Sequence, residues 1–358
     1  MPPSPGDSRS TAILQLQARP ISSVRPIARD PADPKLSHAK TDLIGLRATV
    51  PVAGAAYLAA LGGSALFHVR ASVLDAVPLC LGPAAFLCFY SRIVFPRAVR
   101  VAHGMEAAFL IIVLGLSLAC LSYLGAMADL PLCDGEMISF ERQLGFDWLQ
   151  IMGALDRWPA VLKLLDGAYA TFTSQLIATV LVLVIARRRS ELDCFFLTFV
   201  CATAFAVTAS ALVPTVGPMS ALAGNAEFAN LATLGRATGE TVMALRHGTV
   251  KTIELDAING IISFPSLHAA VAVIVPFTLR WNKPLFWPIA VLDGVMLIST
   301  VPSGNHYVAD VLGGIVVAVL AILCGRRVQQ SLDRGIAGAW AHVRSAMPSR
   351  QAGITPAE

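Results

Sequence analysis

Three residues in the C-terminal part of the chain have types and spacing suited to chemistry: His268, His306 and Asp310. His306 and Asp310 are four positions apart, so on a helix they share one face, a turn apart. A carboxylate placed there can accept a hydrogen bond from one imidazole nitrogen and fix the tautomer, which leaves the other nitrogen as a nucleophile. A structural His–Asp pair satisfied by hydrogen bonding is the competing reading of the same spacing. His268 lies in Ser263-Phe264-Pro265-Ser266-Leu267-His268-Ala269-Ala270. Pro265-Ser266 directly before an apolar run marks a helix start with Ser266 as N-cap. The unpaired N–H groups of such a start favour an anion, phosphate included. From the first turn His268 could give a proton to a leaving oxygen. Two histidines and an aspartate could also ligate zinc, a reading ranked lower because the helix start suits an anion better.

The elements carrying these residues are apolar. The chain has 358 residues, 55 % hydrophobic and 14 % charged, with mean hydropathy +0.66. Soluble domains carry about a quarter charged residues, so the composition indicates a polytopic membrane protein. Runs near 48–67, 72–94, 104–127, 168–186, 194–214, 261–280, 285–302 and 306–325 are long enough to span a bilayer. The expectation is therefore an all-α transmembrane bundle of about eight spans. Residues 1–40 read as a disordered cytoplasmic tail, 41–100 as N-terminal spans, 101–325 as the catalytic transmembrane domain and 326–358 as a second cytoplasmic tail. Six of the seven cysteines fall in apolar runs and none forms a Cys-x-x-Cys pair, so neither a zinc site nor a disulfide framework is indicated.

Charge sets the orientation. Arg97 and Arg100, Arg187 to Arg189, Arg280 and Lys283, and Arg326 and Arg327 lie in one alternate set of connections, with the basic N-terminal tail. The positive-inside rule makes that side cytoplasmic. The other set, including 128–167, 215–260 and 303–305, carries Asp129, Asp134, Glu136, Glu141 and Asp147. Both polar clusters then open on the extracytoplasmic face of a multi-pass cell-membrane protein. Segment 141–167 reads as an interfacial amphipathic helix or as a loop helix packed on the bundle. Trp148, Trp158, Trp281 and Trp287 fall near the expected membrane edges. A net charge of +4 gives no reason to expect a nucleic-acid partner.

Phe264-Pro265-Ser266-Leu267-His268, followed by Gly304-Asn305-His306-Tyr307-x-x-Asp310-x-x-x-Gly314, resembles the type 2 phosphatidic acid phosphatase superfamily, and more closely its inositol phosphorylceramide synthase-like branch. The paired motifs are specific over about 50 residues. A looser likeness, through Pro214-x-x-Gly217-Pro218, covers 145–325. The resemblance implies a six-helix phosphatase-type core, a lipid phosphate substrate and no metal or other cofactor. It also implies roles for the matching residues: His306 attacks phosphorus and forms a phosphohistidine, Asp310 orients it, and His268 protonates the leaving group. Ser266 and the backbone after it hold phosphate oxygens.

Three positions depart from the phosphatase pattern. Leu267 stands where Gly is usual, Thr300 stands where an Arg precedes the nucleophile by six, and the Lys/Arg-Pro first motif has no clean match. The first two departures look shared by the synthase-like branch. The third leaves the phosphate without a cation, for which Arg246 and Lys251 are the best substitutes. Asp293, inside the seventh run, is expected to pair with a polar neighbour in the bundle. The reading is a lipid phosphatase or phosphotransferase; a catalytically silent scaffold or transporter of the same fold is the alternative.

Overall fold

The computed structural model describes residues 45–75, 77–78, 99–224, 228–231, 234–254 and 260–346, and the following concerns these residues. Helices α1 (Gly45–Leu66) and α2 (Val99–Met127) pack together, with a 3-10 turn at Ser72–Asp75 against α2. Two short helices follow, α3 (Asp134–Gln143) and α4 (Trp148–Leu155). Helices α5 (Pro159–Ala170) and α6 (Phe172–Ile185) meet at a 46° bend around Thr171. Next come α7 (Arg189–Leu212), the short α8 (Pro218–Leu222), α9 (Leu234–Arg246), α10 (Leu267–Leu279), α11 (Lys283–Ser299) and α12 (Val308–Ala346). The described residues form no strand beyond an isolated Arg70–Thr252 bridge. The all-α expectation therefore holds.

By length and composition, α7 and the first 24 residues of α12 can cross a bilayer, and the bent pair α5–α6 makes a third candidate if taken as one span. Shorter apolar helices cover Val52–Leu66, Ile112–Met127 and Leu267–Leu279. The run at 261–280 gives a helix only from Leu267, because the chain through Pro265 and Ser266 is irregular before the cap. Most of the run at 72–94, and all of residues 1–40, lie outside the described residues. Helix α12 runs on without a break past 325, where the second tail was placed.

Helix α10 is buried on every face, packing against α6, α7, α11 and α12. Its small residues Ala269, Ala270 and Ala272 let neighbouring backbones approach, the usual means of association where lipid removes the hydrophobic drive. Close approach is extreme at Gly314 of α12, where an added Cβ would lie 2.2 Å from the Ser266 carbonyl oxygen. That contact brings the start of α12, with His306 just before it, against the start of α10.

Segment 141–167 is neither a single amphipathic helix nor wholly surface. It is broken between α3, α4 and α5, and Trp148 and Met152 are buried with Met219, Ala223 and Leu231. Trp148 is thus a packing residue, its Nε1 donating to the Val301 carbonyl at 3.4 Å. Trp158 and Trp287 remain exposed.

Candidate active site

The residues from Ser303 to Asp310 are held from several sides. Ser263 Oγ lies 2.7 Å from Asp310 Oδ2 and 2.6 Å from the Asn305 carbonyl. The Met219 N–H donates to the Gly304 carbonyl at 3.2 Å. Helix α9 crosses so near that a Cβ on Gly235 would meet Gly304 backbone atoms at 2.3 Å. No residue larger than glycine fits at 235 without displacing the turn that carries His306.

His306 is 2 % exposed and Asp310 is fully buried. The His306 Nδ1 lies 3.0 Å from the Ser263 carbonyl oxygen and 3.7 Å from Asp310 Oδ2. A carbonyl can only accept, so Nδ1 carries the proton and donates to Ser263. The partner that fixes the tautomer is therefore a backbone carbonyl, with the Asp310 carboxylate behind it at ion-pair distance. Asp310 is itself oriented by Ser263 Oγ and by the Tyr307 N–H, which donates to its Oδ2 at 2.8 Å. With Nδ1 protonated, Nε2 keeps its lone pair. It faces Ser266 Oγ at 3.3 Å.

Ser266 is the N-cap of α10, its Oγ accepting from the Ala269 N–H at 3.3 Å. The Ala270 N–H donates to the Ser266 carbonyl. The N–H groups of Leu267 and His268 thus remain for an anion in front of Nε2. The start of α12 is different, because carboxylates occupy it: the Tyr307 N–H goes to Asp310 and the Val308 N–H to Glu141 Oε1 at 2.6 Å. Of the two helix starts, only that of α10 is open to a phosphate. The Ser266→Ala substitution removes the cap and the Nε2 contact together. It is expected to cost about 1 kcal/mol of stability and to lower turnover by on the order of tenfold, read from thermal unfolding and steady-state rates in detergent.

The ring of His268 is stacked on Tyr169, with centroids 3.9 Å apart and planes at 11°. Phe172 lies on it at 4.4 Å. The bend at Thr171 places these two aromatics from consecutive helices around one imidazole. The His268 and His306 centroids are 6.2 Å apart, with the ring planes at 57°. Tyr169 Oη also accepts from Asn305 Nδ2 at 3.4 Å, tying the wall of His268 to the loop of His306.

Helix α3 contributes two buried acids, Asp134 and Glu141. Asp134 accepts from the N–H groups of Val216 and Gly217 at 3.1 Å and from Tyr307 Oη at 2.8 Å. Burial pushes the Asp134 carboxyl above the usual carboxylate range, and burial carries Glu141 up to about 7.

The expected cations have different surroundings. Arg246 at the end of α9 has a side chain 10 % exposed, and its Nη2 is 2.8 Å from Asp129 Oδ1. Lys251 is exposed, and its carbonyl accepts from the Arg70 N–H. Neither is hydrogen-bonded or ion-paired to His268, His306 or Asp310 among the described residues. Asp293 is buried on α11 next to Gln175 of α6, whose Nε2 is 3.7 Å from Met296 Sδ. Among the described residues, no three His, Cys, Asp or Glu side chains come together as a ligand set, and His306 Nδ1 is directed at a carbonyl.

Sequence reasoning thus brought His306, Asp310, Ser266 and His268 to one place and missed Ser263, Tyr169, Phe172, Tyr307, Asp134 and Glu141. One signal was available for the acids. They are seven apart, two turns on one helix face, in the acid-bearing connection 128–167.

A family model described as the PAP2 superfamily matches residues 135–324. No curated protein matches the chain significantly, and no solved structure does.

Proposed function

The chain belongs to the PAP2 superfamily, whose members are phosphatases, and on that premise we propose that it cleaves or transfers a lipid phosphate ester through a phosphohistidine on His306. The observation that carries the reading is the hydrogen bond from His306 Nδ1 to the Ser263 carbonyl, which leaves Nε2 unprotonated before the open start of α10.

In the first step Nε2 attacks phosphorus, the phosphorus–oxygen ester bond breaks, and His268 gives its proton to the departing oxygen. In the second, water or an alcohol attacks the phosphohistidine, His268 takes the proton from it, and the phosphorus–nitrogen bond breaks. Ser266 and the N–H groups of Leu267 and His268 hold the phosphoryl oxygens through both steps. Asp310 acts on His306 through Ser263 and by its charge, which favours the imidazolium-like nitrogen formed on attack.

Charge around the transferring group is supplied by Arg246. Its Nη1 is buried without an acceptor, a costly arrangement that an anion would relieve. A helical side chain leans toward the helix N-terminus. Val242, one turn before Arg246 on α9, lines a small cavity together with Ser263 and Phe264. Lys251 is a second, exposed positive charge on the same segment.

The setting supports a lipid substrate: a site at helix ends in an apolar bundle gives a headgroup lateral access. Leu267, Thr300 and the Phe264-to-His268 motif support the inositolphosphotransferase-like branch, and the distribution of Arg and Lys supports eight spans with the site on the extracytoplasmic face.

The test is incubation of the detergent-purified protein with a phospholipid labelled in its phosphate, with and without a lipid alcohol. Labelled inorganic phosphate identifies a phosphatase, and a labelled new lipid identifies a transferase. Neither product from any phospholipid class would leave a scaffold or transporter and sink the reading. Turnover is expected to survive excess chelator; a loss restored by zinc would assign a metal site instead.

A further inference from the structure

We infer that Glu141 is a positioning residue for the nucleophile, acting on His306 through the backbone N–H of Val308. The inference rests on the phosphohistidine reading of His306 and adds a residue from outside both motifs.

The start of α12 needs help from elsewhere in the chain. Its N-cap residue is Tyr307, whose side chain reaches away to Asp134 and cannot cap. Asp310, at the third helical position, returns to the Tyr307 N–H, which is one half of a capping box. The N–H of Val308, at the first helical position, is left to Glu141 Oε1 at 2.6 Å. Two turns earlier on the same helix, Asp134 holds Tyr307 Oη. Helix α3 therefore grips the two residues that directly follow His306, one by its side chain and one by its backbone.

A purely structural role accounts poorly for an acid here. Glu141 is 2 % exposed, and its ionised form is opposed first by burial and then by the charge of Asp310. A buried carboxylate that no cation faces is costly to ionise, so packing alone gives no reason for an acid at this place. What it supplies is a strong, directed acceptor at one backbone N–H, fixing where the helix and its preceding histidine begin. Misplacing a reacting atom by about 1 Å can lower a rate by on the order of a hundredfold.

The experiment uses the full chain in detergent and measures kcat, KM and the single-turnover rate of phosphoenzyme formation. The Glu141→Ala variant is expected to lose kcat and the phosphorylation rate by about 10- to 100-fold with KM within about twofold. Glu141→Gln keeps an acceptor oxygen and is expected to stay within about threefold of the parent. Glu136→Ala, which removes an exposed acid from the same helix, should change nothing.

Val308→Pro deletes the donor rather than the acceptor, at a helical position that tolerates proline. It should reproduce the Glu141→Ala loss, and the double variant should be no slower than either single one. This variant also decides the matter if Glu141→Ala fails to fold. A fall in KM-linked binding with kcat intact, an equal loss in Glu141→Gln, or additive single losses would each overturn the inference. Absence of any phosphoenzyme in the parent protein would instead sink the phosphohistidine reading itself.

Discussion

Replacement of His306 by alanine is expected to lower turnover by on the order of 10⁴-fold or more and to abolish the covalent phosphoprotein. The argument is geometric. Nδ1 is committed to the Ser263 carbonyl, so the neutral ring presents Nε2 as a base and nucleophile, 3.3 Å from Ser266 Oγ. Of the two histidines, His306 is the one whose free ring nitrogen is placed against the N-cap of α10. His268, the second ring, is flanked on its faces by Tyr169 and Phe172, an arrangement suited to passing a proton from its edge. The variant forfeits two side-chain hydrogen bonds worth about 1 kcal/mol each, so the protein should remain folded and bind lipid within a few fold. The measurement is rapid quench of enzyme with labelled lipid, followed by mapping of the labelled peptide. A label that persists in His306→Ala, or that maps to His268, would assign the nucleophile elsewhere.

The parts of this site legible in the sequence were those governed by local periodicity. The Ser after Pro that marks a helix start is indeed the N-cap of α10, whereas His306 lies just before α12 and only Asp310 is on it, so the two meet at 3.7 Å across a helix start rather than on one helix face. What periodicity does not encode is which group from a distant segment completes each contact. The tautomer of His306 is set by the Ser263 carbonyl, a group every residue possesses, and it is available only because Gly314 lets α12 close upon α10. Asp134 and Glu141 entered the sequence reading only as acids of a connecting segment, because their burial depends on α3 folding back over residues that follow much later in the chain. Hydropathy located apolar runs but not where a helix inside them begins. The run at 261–280 is irregular before Leu267, and that irregular part is where Ser263 and Ser266 do their positioning. The bend at Thr171 likewise has no proline to mark it, yet it brings Tyr169 and Phe172 onto His268.

The cation is where sequence and structure meet least directly, and substitution of Arg246 carries the second large expectation. Arg246→Ala should lower kcat/KM by about 10²- to 10³-fold, the loss typical of removing one donor to a developing oxyanion. Its guanidinium is nine-tenths buried, bonded to Asp129 through Nη2 only, while Nη1 has no acceptor. Asp129 is 65 % exposed and therefore well screened, so it cannot neutralise the charge of Arg246 as a buried partner would. Asp129→Ala should accordingly change activity by less than about threefold. Arg246→Lys keeps the charge but not the planar fork, and should recover part of the loss. The rival lies on the same helix: Arg236 follows Gly235, whose backbone touches Gly304 two residues before His306. It is about 15 Å from Arg246 along α9, so one phosphoryl group cannot be served equally by both ends of that helix. With Arg246 in the role, Arg236→Ala should stay within about threefold of the parent. If Arg236→Ala is the variant that fails and Arg246→Ala is nearly silent, the transferring phosphate sits over the Gly304 turn, and Arg246 only ties α9 to the end of α2.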